Sequence, residues 1–251
     1  MAIKNQTALI TGASSGIGSE IAKKFAVQGY SLLLLGRDEK RLKKVQAQCK
    51  NTRAEYLAFD LLDLKQNSKA LSEKIKAMPP LTVLINNAGL FKQGLLQENT
   101  TADWLLQFQV NLLSAVELCK VVWPIFKKNK KGSIVNISST LALKPTPGTG
   151  PYSAVKAAMI NWTQSLAQEG GKYNIRANCI CPGIVDTPIH AFHSMPKIKK
   201  EKAIREMAGY QLLAEIGEPT DVAEATYFLA SELSKWTTGS VLSVDGGINI
   251  K

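Results

Sequence analysis

Thr11-Gly12-Ala13-Ser14-Ser15-Gly16-Ile17-Gly18 is the stretch on which the reading of this chain turns. It follows a β-rich run over 7–11 and opens a helix over roughly 16–28, in which Ile17, Ile21 and Phe25 form an apolar stripe. Glycines at a strand-to-helix turn let the backbone approach a pyrophosphate closely, and the helix N-terminus offers free N–H groups at its positive end. The spacing is GxxxGxG rather than GxGxxG, and no GK[ST] follows, which disfavours a nucleoside-triphosphatase loop. The turn therefore predicts a dinucleotide site built from Gly12, Ser14, Ser15, Gly16, Ile17 and Gly18.

The end of the second β-rich run, 31–35, bears on which dinucleotide. A site for NAD(H) expects an acidic residue there, to hold the ribose 2′-OH. This chain has Gly36-Arg37 instead. Gly36 removes the carboxylate that would repel a 2′-phosphate, and Arg37 supplies a planar guanidinium to bind one. Asp38 next door pulls the other way. NADP(H) is expected over NAD(H).

Further strands are expected at 55–59, 82–86, 133–138, 175–180 and 240–244, and they read as continuous apolar runs, as strands buried on both faces do. Helical patterns lie between them, at roughly 39–50, 64–78, 101–128, 152–169 and 219–232. This alternation predicts an α/β fold: a single Rossmann-type domain over 1–251, its doubly wound parallel sheet of about seven strands flanked by helices. The stretch 188–217 has no obvious strand partner. With Ile189, Phe192 and Met195 ahead of a lysine cluster, it is expected to form a substrate lid.

The 251 residues are 45% hydrophobic and 20% charged, which excludes a disordered chain. No uninterrupted apolar run approaches a bilayer span, and the opening residues carry no secretory pattern; a cytoplasmic protein without membrane contact is expected. Cys49, Cys119, Cys179 and Cys181 show no paired CxxC spacing, and His190 and His193 are the only histidines, so neither a disulfide framework nor a metal site is suggested. The formal net charge of +11 gathers at 37–53, at Lys127, Lys128, Lys130 and Lys131, and at 197–205. Aromatic residues, at 7%, are too few to interleave these clusters as nucleic-acid binding would need. A positive field that steers an anionic substrate or cofactor is the better reading.

Tyr152-Ser153-Ala154-Val155-Lys156 sits at the start of a helix, where residues four apart share a face. A phenol titrates near ~10, and an ammonium beside it is expected to favour the phenolate. Such a spacing arises by chance, but three strand ends converge with it: Ser138-Ser139, Asn86-Asn87-Ala88-Gly89, and Cys181-Pro182-Gly183-Ile184-Val185-Asp186-Thr187. Ligands of open parallel sheets bind at such carboxyl ends.

With TGASSGIG, NNAG, Ser139 thirteen residues before Tyr152, PGIVDT and Val244-Asp245-Gly246-Gly247 in this order, the chain resembles the short-chain dehydrogenase/reductase family along essentially its whole length. The resemblance implies an NAD(P)-dependent oxidoreductase acting on an alcohol/carbonyl pair, as a homotetramer or homodimer. It implies Tyr152 as proton donor and acceptor, and Ser139, ahead of Ser138, as the hydroxyl on the substrate carbonyl. Lys156 would lower the phenol and bind the nicotinamide ribose, and Asn111 would complete a proton relay. Asp60 and Leu61 would meet adenine, Asn87, Ala88 and Gly89 the adenine ribose region, and Val185 and Thr187 the carboxamide, next to Pro182 and Gly183. The small-molecule substrate is left open: the expected walls, at 141–150, 90–96 and 188–195, offer no obvious charged anchor. A 3-oxoacyl-[acyl-carrier-protein] reductase is one specific alternative, with Lys127 to Lys131 and Lys172 receiving an acidic carrier, although Tyr173 stands where such reductases tend to be basic. A non-catalytic NADP(H)-binding sensor or scaffold is another. Ala154, Ala157, Ala158, Asn161 and Ser165 suggest a subunit interface on the 152–169 helix.

Overall fold

A computed structural model describes residues 6–50, 52–190 and 195–251. Phe192 and His193 lie outside the described residues, as does the side chain of His190.

Seven parallel strands form one sheet: β1 (Thr7–Thr11), β2 (Ser31–Gly36), β3 (Ala54–Ala58), β4 (Leu81–Asn86), β5 (Gly132–Ile137), β6 (Ile175–Pro182) and β7 (Val241–Val244). Their order is β3-β2-β1-β4-β5-β6-β7. The helices between them are α1 (Gly16–Val27), α2 (Glu39–Gln48), α3 (Leu64–Ala77), α4 (Thr101–Phe108), α5 (Ser114–Asn129), α6 (Gly150–Gly170), α7 (Lys197–Ala208) and α8 (Pro219–Ala230).

The leucine run of β2 shows why both faces are covered. Leu32 and Leu34 pack with Ile21, Phe25, Leu42 and Leu229 of α1, α2 and α8. Leu33 and Leu35 point the other way, to Leu71, Leu118, Phe126 and Leu166 of α3, α5 and α6. All four are fully buried, each worth roughly 1.5–3 kcal/mol of transfer free energy. Strand order reverses between β1 and β4, so the loops leaving these neighbours run to opposite faces and open a crevice above their carboxyl ends.

Two expected elements differ. The helix expected at 101–128 is interrupted: Gln109–Leu113 forms a π-helical turn between α4 and α5, and Asn111 sits in it. Taken together, Thr101–Asn129 is long and apolar enough by composition to cross a bilayer, but Leu118, Cys119, Val122 and Phe126 are buried against the sheet. The 188–217 stretch contains α7 and closes on an isolated parallel bridge between Val185 and Gly217.

Candidate active site

A cleft of about 1810 Å³ runs along the carboxyl ends of the strands. Its floor is the β1–α1 turn. Gly12 has φ +64°, and a Cβ there would stand 2.8 Å from Asn87 Nδ2 and 2.9 Å from Ala88 Cα. A Cβ on Gly18 would meet the same Nδ2 at 2.5 Å. The crowding comes from how the turn is held. Thr11 Oγ1 accepts from the N–H groups of Asn87 and Ala88, both at 3.0 Å, and Asn87 Nδ2 donates to the Thr11 carbonyl at 3.0 Å. Asn87 lines the cleft, but its side-chain amide is committed to fixing this turn. Ser15 caps α1 without its hydroxyl closing the first turn.

Arg37 and Arg41 flank one end of the cleft. Arg37 is largely exposed and lies 3.6 Å from Asp60, whose carboxylate also accepts from Leu62 N–H at 3.0 Å. Asp38 accepts from Arg41 N–H at 3.0 Å and pairs with its guanidinium at 3.1 Å. It is the N-cap of α2. A Cβ on Gly36 would make ordinary van der Waals contact with Leu42 and with Ser14 Oγ, both at 3.4 Å.

At the other end stand Ser139, Tyr152 and Lys156. Ser138 donates its hydroxyl to the Lys156 carbonyl at 2.8 Å, which ties β5 to α6. Ser139 accepts from Leu141 N–H at 3.1 Å, and its hydroxyl acts to lower the titration of the Tyr152 phenol. The Phe91 ring packs edge-on against Tyr152 at 4.8 Å between centroids. Lys156 is 3% exposed, and its Nζ donates to the Ile137 carbonyl at 2.8 Å, 5.5 Å from the Tyr152 ring centroid.

The expected depression of the phenol is corrected by this geometry. Burial pushes Tyr152 up to about 12, only partly offset by the Ser139 hydrogen bond. The same burial pushes Lys156 down to about 8. The ammonium is turned to a backbone carbonyl, and desolvation outweighs its effect on the phenol.

Gly12, Ser14, Ser15, Gly16, Ile17, Arg37, Asp60, Leu61, Asn87, Ala88, Gly89, Pro182, Gly183, Val185 and Thr187 all line the same cleft as Ser139, Tyr152 and Lys156. Gly18 lies beneath the turn, and Asn111 lies behind the cleft wall, 1% exposed. Asn111 Oδ1 accepts from Leu90 N–H at 3.0 Å, and its Nδ2 donates to the carbonyls of Leu90 and Gln107, both at 2.9 Å. Sequence reasoning missed Arg41 and Lys251 as cleft residues, whereas Phe91 and Lys144 fall within the expected walls at 90–96 and 141–150. Arg41 carried a signal, one helical turn after Arg37. Lys251 carried none.

Comparison with known proteins places this cleft in a family. A family model described as enoyl-(acyl carrier protein) reductase matches residues 12–249. The chain belongs to the short-chain dehydrogenase/reductase family. It is 34% identical over 247 residues to the 3-oxoacyl-[acyl-carrier-protein] reductase of Chlamydia trachomatis, covering 97% of each chain. A solved short-chain dehydrogenase/reductase family protein superposes with a TM-score of 0.85 at 32% identity, over 98% of each chain. The L-sorbose reductase of Gluconobacter frateurii, solved with NADPH and L-sorbose, reaches 0.93 at 28% identity, over 100% of this chain and 99% of that one. As a short-chain dehydrogenase/reductase, the protein is an oxidoreductase.

Proposed function

We propose that this oxidoreductase interconverts a carbonyl compound and a secondary alcohol with NADP(H), Tyr152 serving as acid/base. The observation that carries the reading is one cleft joining a glycine cradle and paired guanidiniums to Ser139, Tyr152 and Lys156. The residues fit the dinucleotide: Gly12, Ser14, Ser15 and Gly16 line the cleft floor, and a Cβ at Gly12 or Gly18 would distort the turn that holds them there.

Gly12 to Gly18 would hold the pyrophosphate, Arg37 and Arg41 a 2′-phosphate, Asp60 and Leu61 the adenine, and Ala88 and Gly89 the ribose region. Lys156 would hold the nicotinamide ribose, and Pro182, Gly183, Val185 and Thr187 the carboxamide end. Bound there, NADPH supplies the hydride that reduces the carbonyl carbon. The NADPH of the sorbose reductase supports this choice.

The chain's own groups do the rest. The Ser139 hydroxyl stabilises negative charge developing on the substrate oxygen. Tyr152, held protonated by burial, delivers its proton to that oxygen. Asn111, expected to complete a proton relay, has its side-chain amide engaged by the backbone of Leu90 and Gln107, and is read instead as a positioning residue that fixes the Gly89–Leu90 wall.

We read 1–251 as one catalytic domain with 188–217 as a lid, since Pro188, Ile189, Met207, Gly209 and Tyr210 line the substrate end. The four cysteines are free and buried, which suits a reducing cytoplasm. A narrower second reading, reduction of 3-oxoacyl groups on a carrier protein, is favoured by the Chlamydia relative. Lys127 and Lys172 stand over the Tyr173 ring at 4.6 and 5.2 Å, so that ring carries two cations and need not itself be basic.

The test is NADPH consumption against neutral ketones, keto acids and 3-oxo thioesters, with NADPH binding measured in parallel. Binding with turnover is expected. Binding without turnover of any carbonyl would favour the sensor or scaffold reading, and absence of binding would overturn both.

A further inference from the structure

The two ends of the cleft differ in charge. Among the described residues that line it, the only acidic side chains are Asp38 and Asp60, both beside Arg37 and Arg41. The substrate half carries Lys144 and Lys251 in addition to the buried Lys156. Other lysines near this half are neutralised by side chains: Lys92 by Asp103 at 2.6 Å and Lys200 by Asp186 at 3.6 Å. Lys144 and Lys251 have no carboxylate side chain as partner among the described residues.

Both are nevertheless held in place. Lys144 Nζ donates to the Lys251 main-chain oxygen at 2.7 Å. Lys251 Nζ donates to the carbonyls of Gly209 and Gln211, just past α7. An ammonium has three N–H donors, so these bonds leave donors on each lysine for a ligand. A carboxylate carried by Lys251 itself would cancel one of the two charges and leave the other. The lining of the same cleft includes the apolar side chains of Phe91, Leu141, Pro147 and Met207, beside the polar Gln93, Thr146 and Thr149.

We infer that Lys144 and Lys251 are specificity-determining residues that select carbonyl substrates bearing an anionic group, a carboxylate or a phosphate, separated from the reacting carbon by a short apolar spacer. The inference deepens the carbonyl-oxidoreductase reading and rests on it. Substrates of this class combine a ketone that Ser139 and Tyr152 can reach with an anion that the two ammonium groups receive. Because both lysines are exposed, the attraction is screened by salt.

The experiment compares 5-oxohexanoate, 5-oxohexyl phosphate and methyl 5-oxohexanoate with NADPH, on wild type, Lys144→Gln, Lys251→Gln and the double variant. The expected wild-type kcat/KM for at least one anion exceeds that for the ester by roughly tenfold at low ionic strength. That ratio should fall severalfold in each single variant and approach one in the double variant or at high salt. The relative rank of the two anions tells carboxylate from phosphate. A wild-type ratio near or below one, or a ratio unmoved by the double substitution, would overturn the inference. Calorimetry with 5-hydroxyhexanoate and its methyl ester on the NADPH-loaded protein reads the same preference without turnover. Anion preference there with no reduction of any ketone would sink the oxidoreductase reading and leave the anion site standing; equal binding of acid and ester would sink the site.

Discussion

At Lys156 the folded protein holds an ammonium in a place that disfavours it, and the consequence is a measurable pH dependence. Its titration is pushed down to about 8 from 10.5. Between those values Lys156 keeps its proton in the unfolded chain and has released it in the folded one, so this group adds stability as pH rises through the window. The Lys156 contribution is on the order of 2–3 kcal/mol. The buried Cys49 and Cys119 thiols, pushed up from 9, give the opposite slope above pH 9. The contribution is therefore read as the difference between wild type and Lys156→Met when urea unfolding of the cofactor-free protein is compared at pH 8 and 10. Above pH 10 Tyr152 and Tyr30, both pushed up to about 12, contribute the opposite sign, because the unfolded phenols ionise first. A second residue-scale prediction concerns Arg37. Charge-assisted bonds to a phosphate are worth roughly 1.5–3 kcal/mol, and Arg37 is exposed, so Arg37→Ala should weaken NADPH binding about tenfold and leave NADH binding nearly unchanged in a fluorescence titration. Tyr152, Lys156 and Ser139 were legible in the sequence because short spacings carry them. The protonation of the pair was not, because burial is contributed by Phe91, Ile137 and β6, remote in sequence.

Among the elements, the π turn at Gln109–Leu113 matters most for the site. Its extra residue turns Asn111 toward the Gly89–Leu90 wall, where one side chain satisfies an N–H and two carbonyls. Asn111→Ala would leave those groups unpaired in a buried place, at a cost of about 2–4 kcal/mol. A fall of that size in denaturant unfolding, with weakened substrate binding, is expected; a loss under about 0.5 kcal/mol would contradict the positioning role. The periodicity of 101–128 is that of a continuous helix, since a single inserted residue shifts the apolar stripe by less than its own width. Strand positions were easier to read. A strand buried on both faces is apolar throughout, as in Leu32–Leu35, whereas the 188–217 stretch is organised by pairings, Val185 with Gly217 and Lys200 with Asp186, that no local pattern announces.

On the scale of the whole molecule, the +11 charge is unevenly placed, and the cleft receives its cations at both ends with acids at only one. Lys251 reaches the substrate end solely because β7 lies beside β6, a consequence of sheet order that spacing does not reveal. The outer face of α6 exposes Ala154, Ala157, Asn161 and Ser165, small residues that suit close packing across a two-fold axis. Light scattering should show a homodimer or homotetramer, and Ala157→Glu should lower the assembly state; an unchanged mass in that variant would move the interface elsewhere. On the proposed function, Tyr152 delivers the proton in a cleft that holds NADPH and a carbonyl together. The most direct measurement pairs NADPH affinity with ketone turnover in wild type and Tyr152→Phe. We expect affinity to be retained within about threefold, and turnover to fall by a factor of roughly 10²–10⁴, the range of general acid catalysis. Turnover surviving in Tyr152→Phe at near wild-type rate would contradict the account.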